Sequence, residues 1–350
     1  MVSKKILAVV GALALIALLT LVIEKREGSK DLKDIEKSLF QIEKIPEVSG
    51  IEISQSDKKV KVVRDENNRW IVDGNDKFPA SATTVVKFLE NISEIKLIRL
   101  ISDKREKWND LELEKGARVS LFSGDKALLK LVLGKRREGN GQFVAFEDST
   151  KSYLADKVLS FFQESSAWEL KTLLDLKKDD LKEINFMPKD LSKKKSFKFV
   201  REKKEDSLKL SDRGEKEKEK DSEISSLYGM FSSLSYSQRQ PKDSQQKELF
   251  SKADSVSVST FDGRSYSILV AKVEKKTPPE KNPPSDKDKN KKVEKEMDYY
   301  VTMNLSGTYA DSSGDGKFFN AMMDKWVFKV EPYQAKRFLR EREEFLEKKQ

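Results

Sequence analysis

The sequence predicts an α+β protein: two tandem repeats of mostly antiparallel sheet with covering helices, preceded by one N-terminal transmembrane helix. Three observations carry this. An uncharged apolar run opens the chain. Short alternating strands are joined by Gly-containing turns. A whole series of strands and one helix recurs at a nearly constant offset.

Ile6 to Ile23 contains no charge. As a helix it would span about 27 Å at a rise of ~1.5 Å per residue, one hydrocarbon thickness. Lys4 and Lys5 precede it, and Glu24-Lys25-Arg26-Glu27 follows with no net charge. The positive-inside rule keeps residues 1–5 in the cytoplasm and exports the remainder. No Ala-x-Ala cleavage signature closes the run and no Cys is available for lipidation, so the segment reads as an uncleaved anchor. Residues 24–44 read as a polar stalk, with room for a helix near Ile35, Leu39 and Ile42.

Two further divisions follow, a first α+β repeat over 45–176 and a second over 177–350. Val85, Phe88, Leu89, Ile92 and Ile95 lie on one face of a helix. Ile224, Leu227, Tyr228, Phe231 and Leu234 repeat that spacing 139 residues later. The same offset carries "ARVSLFSGDKALLKLVLGK" onto "VSVSTFDGRSYSILVAKV", both strand–turn–strand, so that Val119 falls on Val258, Leu131 on Val270 and Leu111 on Phe250. Upstream, "VKVVR" (Val60–Arg64) matches "FKFVR" (Phe197–Arg201), and "VSGIEI" matches "LKEINF". Downstream, "QFVAF" matches "YYVTM". A strand and a helix are then expected to close each copy, over Ser152–Gln163 and Lys325–Leu339. The second copy carries an insertion, 274–296, with four Pro and many Lys. It holds too little apolar surface to fold and is expected to remain disordered or extended.

The composition excludes much chemistry. The chain has no Cys and no His, so disulfides, thiolate metal sites, His-dependent triads and His-ligated zinc are ruled out. The net charge of +9 arises from interleaved signs, 69 Lys+Arg against 60 Asp+Glu, which is a poor footprint for nucleic acid.

Few motifs survive inspection. "DSSGDG" (Asp311–Gly316) begins like a calcium loop, but Met322 stands where a bidentate Glu is needed, so it reads as a solvated turn. "REGNGQ" (Arg137–Gln142) lacks the residues of a phosphate loop and reads as a hairpin turn. "DLSKKKS" (Asp190–Ser196) reads as a solvated basic loop. Trp70, Trp108, Trp168 and Trp326 read as packing residues. No catalytic, cofactor-binding or metal-binding residue is assigned, and the chain is not expected to be an enzyme.

The anchor, "VSGIEIS", "VKVVRDENNRWIVDG", "WNDLELEKGARVSLF", "LLKLVLGK", "GQFVAF" and "KWVFKVEPYQAKRFL" together resemble the bacterial domain of unknown function 4340 family. The resemblance covers nearly all of the exported part. It implies a membrane-anchored envelope protein, often encoded beside gliding-type ABC transporter subunits, and brings no catalytic residues. The expected function is therefore an extracytoplasmic accessory or scaffold protein in the inner membrane, held there through Ile6 to Ile23. Its expected partners are ABC transporter or envelope proteins and not nucleic acid. The alternative expectation is a ligand-binding receptor with its site in the cleft between the repeats.

Overall fold

A computed structural model describes residues 36–74, 76–275, 296–307 and 314–347. The expected anchor and most of the insertion lie outside these residues. Among the described residues no helix is long and apolar enough to cross a membrane. The chain divides into two compact units, Met1–Leu170 and Lys171–Gln350. Each contains one nine-stranded sheet in which every strand pairing is antiparallel.

The first unit contains β1 (Gly50–Gln55), β2 (Lys58–Arg64), β3 (Trp70–Val72), β4 (Phe78–Pro79), α1 (Ala82–Glu94), β5 (Leu97–Ser102), β6 (Ala117–Ser123), β7 (Lys126–Arg136), β8 (Gln142–Phe146) and β9 (Ser152–Ala155). Its strand order is β4-β3-β2-β1-β6-β7-β8-β9-β5. The strands form because apolar residues alternate. In β1, Ile51 and Ile53 are buried, as are Val60 and Val62 in β2 and Val119 and Leu121 in β6. The same face receives α1, through Val85, Phe88, Leu89 and Ile92. Ser81 caps this helix, its Oγ accepting a hydrogen bond from Thr84 N at 3.2 Å. The opposite face of β7 and β8 is also covered. Val132 and Ala145 pack there against Trp108, Leu111 and Leu113 from the β5–β6 connection.

The second unit contains β10 (Thr172–Asp175), β11 (Leu181–Met187), β12 (Phe197–Val200), β13 (Lys209–Leu210), α2 (Asp221–Tyr228), β14 (Ser232–Pro241), α3 (Ser244–Ser251), β15 (Asp254–Thr260), β16 (Ser265–Glu274), β17 (Met297–Ser306), α4 (Gly314–Lys325), β18 (Trp326–Val330) and α5 (Pro332–Arg337). The order is β10-β14-β18-β17-β16-β15-β11-β12-β13. Read in the opposite direction, eight strands have the same neighbours and the same chain order as β3-β2-β1-β6-β7-β8-β9-β5 of the first unit. Only β4 and β10 fall outside that scheme as named strands.

Several sequence expectations shift in detail. The hairpin β15–β16 lies in a register two residues away from the 139 offset. Val119 pairs with Leu131, and the equivalent pair is Val256 with Ile268, an offset of 137. A two-residue slip leaves every side chain on its original face, so alternation cannot detect it. The second helix ends at Tyr228, and Leu234 lies in β14 instead. No helix forms over residues 156–163, and only a 3-10 turn, Ser165–Ala167, precedes β10. The Asp156 carboxylate accepts a hydrogen bond from Lys96 N at 2.7 Å, and Leu159 N donates to the Gln142 side chain at 3.2 Å. These bonds tie the segment to neighbouring strands. A helix does follow β18, as α5.

The unit boundary lies at 170/171, not 176/177, because β10 pairs with β14. The stalk drawn over 24–44 likewise ends early. Ser38 bridges Lys96, Leu39 and Phe40 are buried, and Ile42–Glu47 forms a 3-10 turn. Glu274, placed in the insertion, belongs to β16 and pairs with Met297.

Gly141 has φ +115°, and a Cβ there would lie 2.5 Å from the Ala155 carbonyl oxygen. Gly141→Ala is expected to destabilise the protein by about 1–3 kcal/mol. A urea midpoint unchanged from the parent would contradict this.

Candidate functional site

The two hairpins that share the "VR" ending offer the first candidate, since both present an arginine. In the first unit, Arg64 pairs across the hairpin with Trp70, and its guanidinium lies 4.9 Å from the indole centroid. Its Nη1 donates to Asn68 Oδ1 at 2.7 Å. The loop is organised by Asp65, whose carboxylate accepts from Asn67 N and Arg69 N and receives the Arg69 side chain through Nε (2.9 Å) and Nη2 (2.7 Å). Burial raises the Asp65 pKa, but the hydrogen bonds and charge of Arg69 outweigh it and hold the carboxyl below its ordinary value. These contacts are local to the turn and leave no convergent reactive pair.

In the second unit, Arg201 is 4% exposed. Its guanidinium donates to the carbonyl oxygens of Leu181 (2.6 Å), Lys204 (2.5 Å), Asp206 (3.3 Å) and Lys178. Tyr228 and Phe261 flank it, with ring centroids 5.5 and 5.4 Å away. This arginine ties the β11–β12 hairpin to the loops beside it, and its donors are committed to the backbone.

The Gly turn of the second β-hairpin holds a tight ion pair. Arg264 reaches Asp262 through Nε (2.9 Å) and Nη2 (2.7 Å), and Thr260 also donates to that carboxylate. The Arg264 hydrogen bond is the main cause that lowers the Asp262 pKa to about 2. A lowered carboxyl contributes stability above its ordinary value of 3.8 and loses it as pH falls towards 2. The side chain is half exposed, so the effect is small. Asp262→Asn is expected to flatten the fall of Tm between about pH 4 and pH 2. An acid limb of unchanged slope would rule this out.

The remaining sequence motifs disperse. Gly314 opens α4, so Asp315 and Gly316 occupy a helical first turn; Asp311 to Ser313 lie outside the described residues. "REGNGQ" turns between β7 and β8, where Arg137 N donates to Gly141 O. Gln142 is buried and patches an irregularity in that ladder, its Nε2 donating to Gly134 O at 3.0 Å. In "DLSKKKS", Lys193 pairs with Asp190 and Lys194 with Glu341. Trp108 and Trp168 are fully buried. Trp70 and Trp326 are partly buried, each beneath an arginine, Arg64 and Arg239 respectively. Among the described residues no group of three or more carboxylates could hold a metal ion.

Open grooves are the surfaces left to consider. One of about 690 Å³ lies beside α3, over Leu249, Ala253 and Ala271, with Lys189, Lys252 and Lys272 on its rim. Another of about 620 Å³, in the first unit, is bordered by Lys135, Arg136, Gln142, Leu159 and Phe161. The first groove has no signature in the sequence, because its lining comes from β16 and α3, which approach only in the fold.

Residues 70–238 match the family described as a domain of unknown function (DUF4340). The match runs from β3 of the first sheet to β14 of the second. No curated protein and no solved structure matches the chain.

Proposed function

We propose, for a chain that belongs to the DUF4340 family through residues 70–238, a role as a membrane-anchored extracytoplasmic accessory or scaffold protein. In this reading it partners an ABC-type transport or envelope assembly complex. Ile6 to Ile23 fixes the chain in the inner membrane, and the two units are copies of one plan that present binding surfaces outside the cytoplasm. The observation that supports this best is the shared connectivity of eight strands, combined with an apolar N-terminal run and the absence of His and Cys. Duplicated sheets with short, structurally committed polar groups suit recognition better than turnover.

The test is affinity purification of the full chain from detergent-solubilised membranes. Co-purification of transporter or envelope subunits is the expected result. Recovery of the chain alone, or its appearance in the soluble fraction, would count against the reading.

A further inference from the structure

Four Asx-Gly pairs occur in the sequence: Asp73-Gly74, Asn140-Gly141, Asp262-Gly263 and Asp315-Gly316. A glycine after Asn or Asp opens its backbone nitrogen to the preceding side-chain carbonyl, because no Cβ hinders the approach. The fold treats the four differently. Asp73 is held as a carboxylate by Lys61 Nζ at 3.0 Å, and Gly74 N donates to its Oδ1. Asp262 is held by Arg264, and Gly263 N donates to Thr260 O at 3.2 Å. Asp315 lies in the first turn of α4. An ionised carboxylate is also a poor target, since attack on it would have to expel oxide or hydroxide.

Asn140 has none of these protections. It is the one Asn in the chain followed by Gly, and it is exposed in the β7–β8 turn. Neither its side-chain amide nor Gly141 N makes a hydrogen bond among the described residues. The turn is closed by Arg137 N donating to Gly141 O at 3.0 Å, which leaves Asn140 between the bonded ends. Lys135, Arg136 and Arg137 precede it, all exposed, and none pairs with a carboxylate among the described residues. A cationic turn favours the anion that forms when an amide nitrogen attacks a carbonyl. The attacking nitrogen belongs to the adjacent residue, so encounter costs little.

We propose that Asn140 is a site of spontaneous, irreversible deamidation, which converts the β7–β8 turn into aspartyl and isoaspartyl forms. Gly141 N bonds to Asn140 Cγ and gives up its proton to water. The Cγ–Nδ2 bond breaks, and ammonia leaves with a proton returned from water. The cyclic imide then takes up one water. Opening at Cγ leaves the ordinary backbone with an Asp side chain. Opening at the backbone carbonyl leaves the peptide bond on Cγ, the isoaspartyl form. Water enters, ammonia leaves, and nothing is oxidised or reduced. Both products set a new carboxylate after three cations. The isoaspartyl form also adds one backbone carbon between Arg137 and Gly141, just before Gln142 rejoins Arg136 in the ladder. The inference stands apart from the scaffold reading, and neither outcome of co-purification bears on it.

The test ages the full chain in detergent at mildly alkaline pH in water enriched in heavy oxygen, with samples taken over days. Each sample is digested with trypsin under acidic conditions, and the peptide 138–151 is followed by mass spectrometry. The expected result is conversion at Asn140 with one heavy oxygen incorporated, giving both aspartyl and isoaspartyl products. It should run at least about tenfold faster than at Asn91 in α1 or Asn185 in β11. The Asn140→Gln variant, whose ring would be six-membered, should keep the parent Tm and show no conversion at 140. A guanidinium-unfolded sample supplies the rate without the fold. Asn140 left intact in the folded chain while the unfolded chain converts would overturn the proposal. So would equal rates at all three asparagines, or aspartyl product alone, which would mean direct hydrolysis and no imide.

Discussion

Arg201→Met is expected to cost the second unit about 3–5 kcal/mol, whereas the equivalent change Arg64→Met should cost about 1 kcal/mol or less. Arg64 ends β2 and Arg201 directly follows the matching strand β12, yet their surroundings differ. Arg201 is almost fully buried and its guanidinium satisfies four backbone carbonyls. Removing it strands those oxygens, each worth about 1–3 kcal/mol when buried without a donor, and some will regain water. Arg64 contributes one partly solvated hydrogen bond to Asn68 and a cation–π contact, and its Nε is already buried without a partner. Urea unfolding of the two variants, followed by tryptophan fluorescence, separates them. Similar midpoints would show that the buried arginine is not the fastener described here. The Arg201 contribution should also resist added salt, because its partners are dipoles and not carboxylates.

Trp168→Ala is the second large effect, with an expected loss of about 3–5 kcal/mol confined to the first unit. The indole is completely buried and meets Phe88 and Phe162 edge-on at 5.2 and 6.2 Å. Its Nε1 donates to Phe162 O at 3.1 Å. Its own carbonyl accepts from Ser81 N at 2.8 Å, at the residue that caps α1. Truncation leaves a cavity beneath the helix and loosens the helix start together. Trp168→Phe should recover roughly half of the loss, since it restores ring volume but not the hydrogen bond. A Phe variant no more stable than the Ala variant would show that the hydrogen bond, not the packing, dominates.

The repeated plan was legible because alternation and helical spacing are local properties. Ile51 and Ile53, Val60 and Val62, and the stripe Val85–Phe88–Leu89–Ile92 announce their own burial. Register was not legible. The slip from 139 to 137 arises because the connection before β15 is two residues shorter than that before β6, and a pleated strand looks the same after a shift of two. Spacing also misled at Val158–Phe162, where apolar residues mimic a helix but Leu159 enters the core from an extended segment while Phe162 remains 53% exposed. The groove beside α3 and the carbonyl cluster around Arg201 were illegible for another reason. Both are assembled from segments distant in the chain, and neither has a signature in any single one.

The join at Lys275 and Glu296 has a practical consequence. Lys275 N donates to Glu296 O at 2.9 Å and the two side chains pair at 2.7 Å, so the β16–β17 ladder is closed before residue 276 begins. Whatever polypeptide connects these two residues enters and leaves through neighbouring strand ends. Loop-closure entropy changes by only about 0.6 kcal/mol per doubling of length, so a short Gly-rich turn can join Lys275 to Glu296 at small entropic cost. The position is therefore a ready port for an epitope, a fluorescent domain or new chain termini, with the sheet left as it stands.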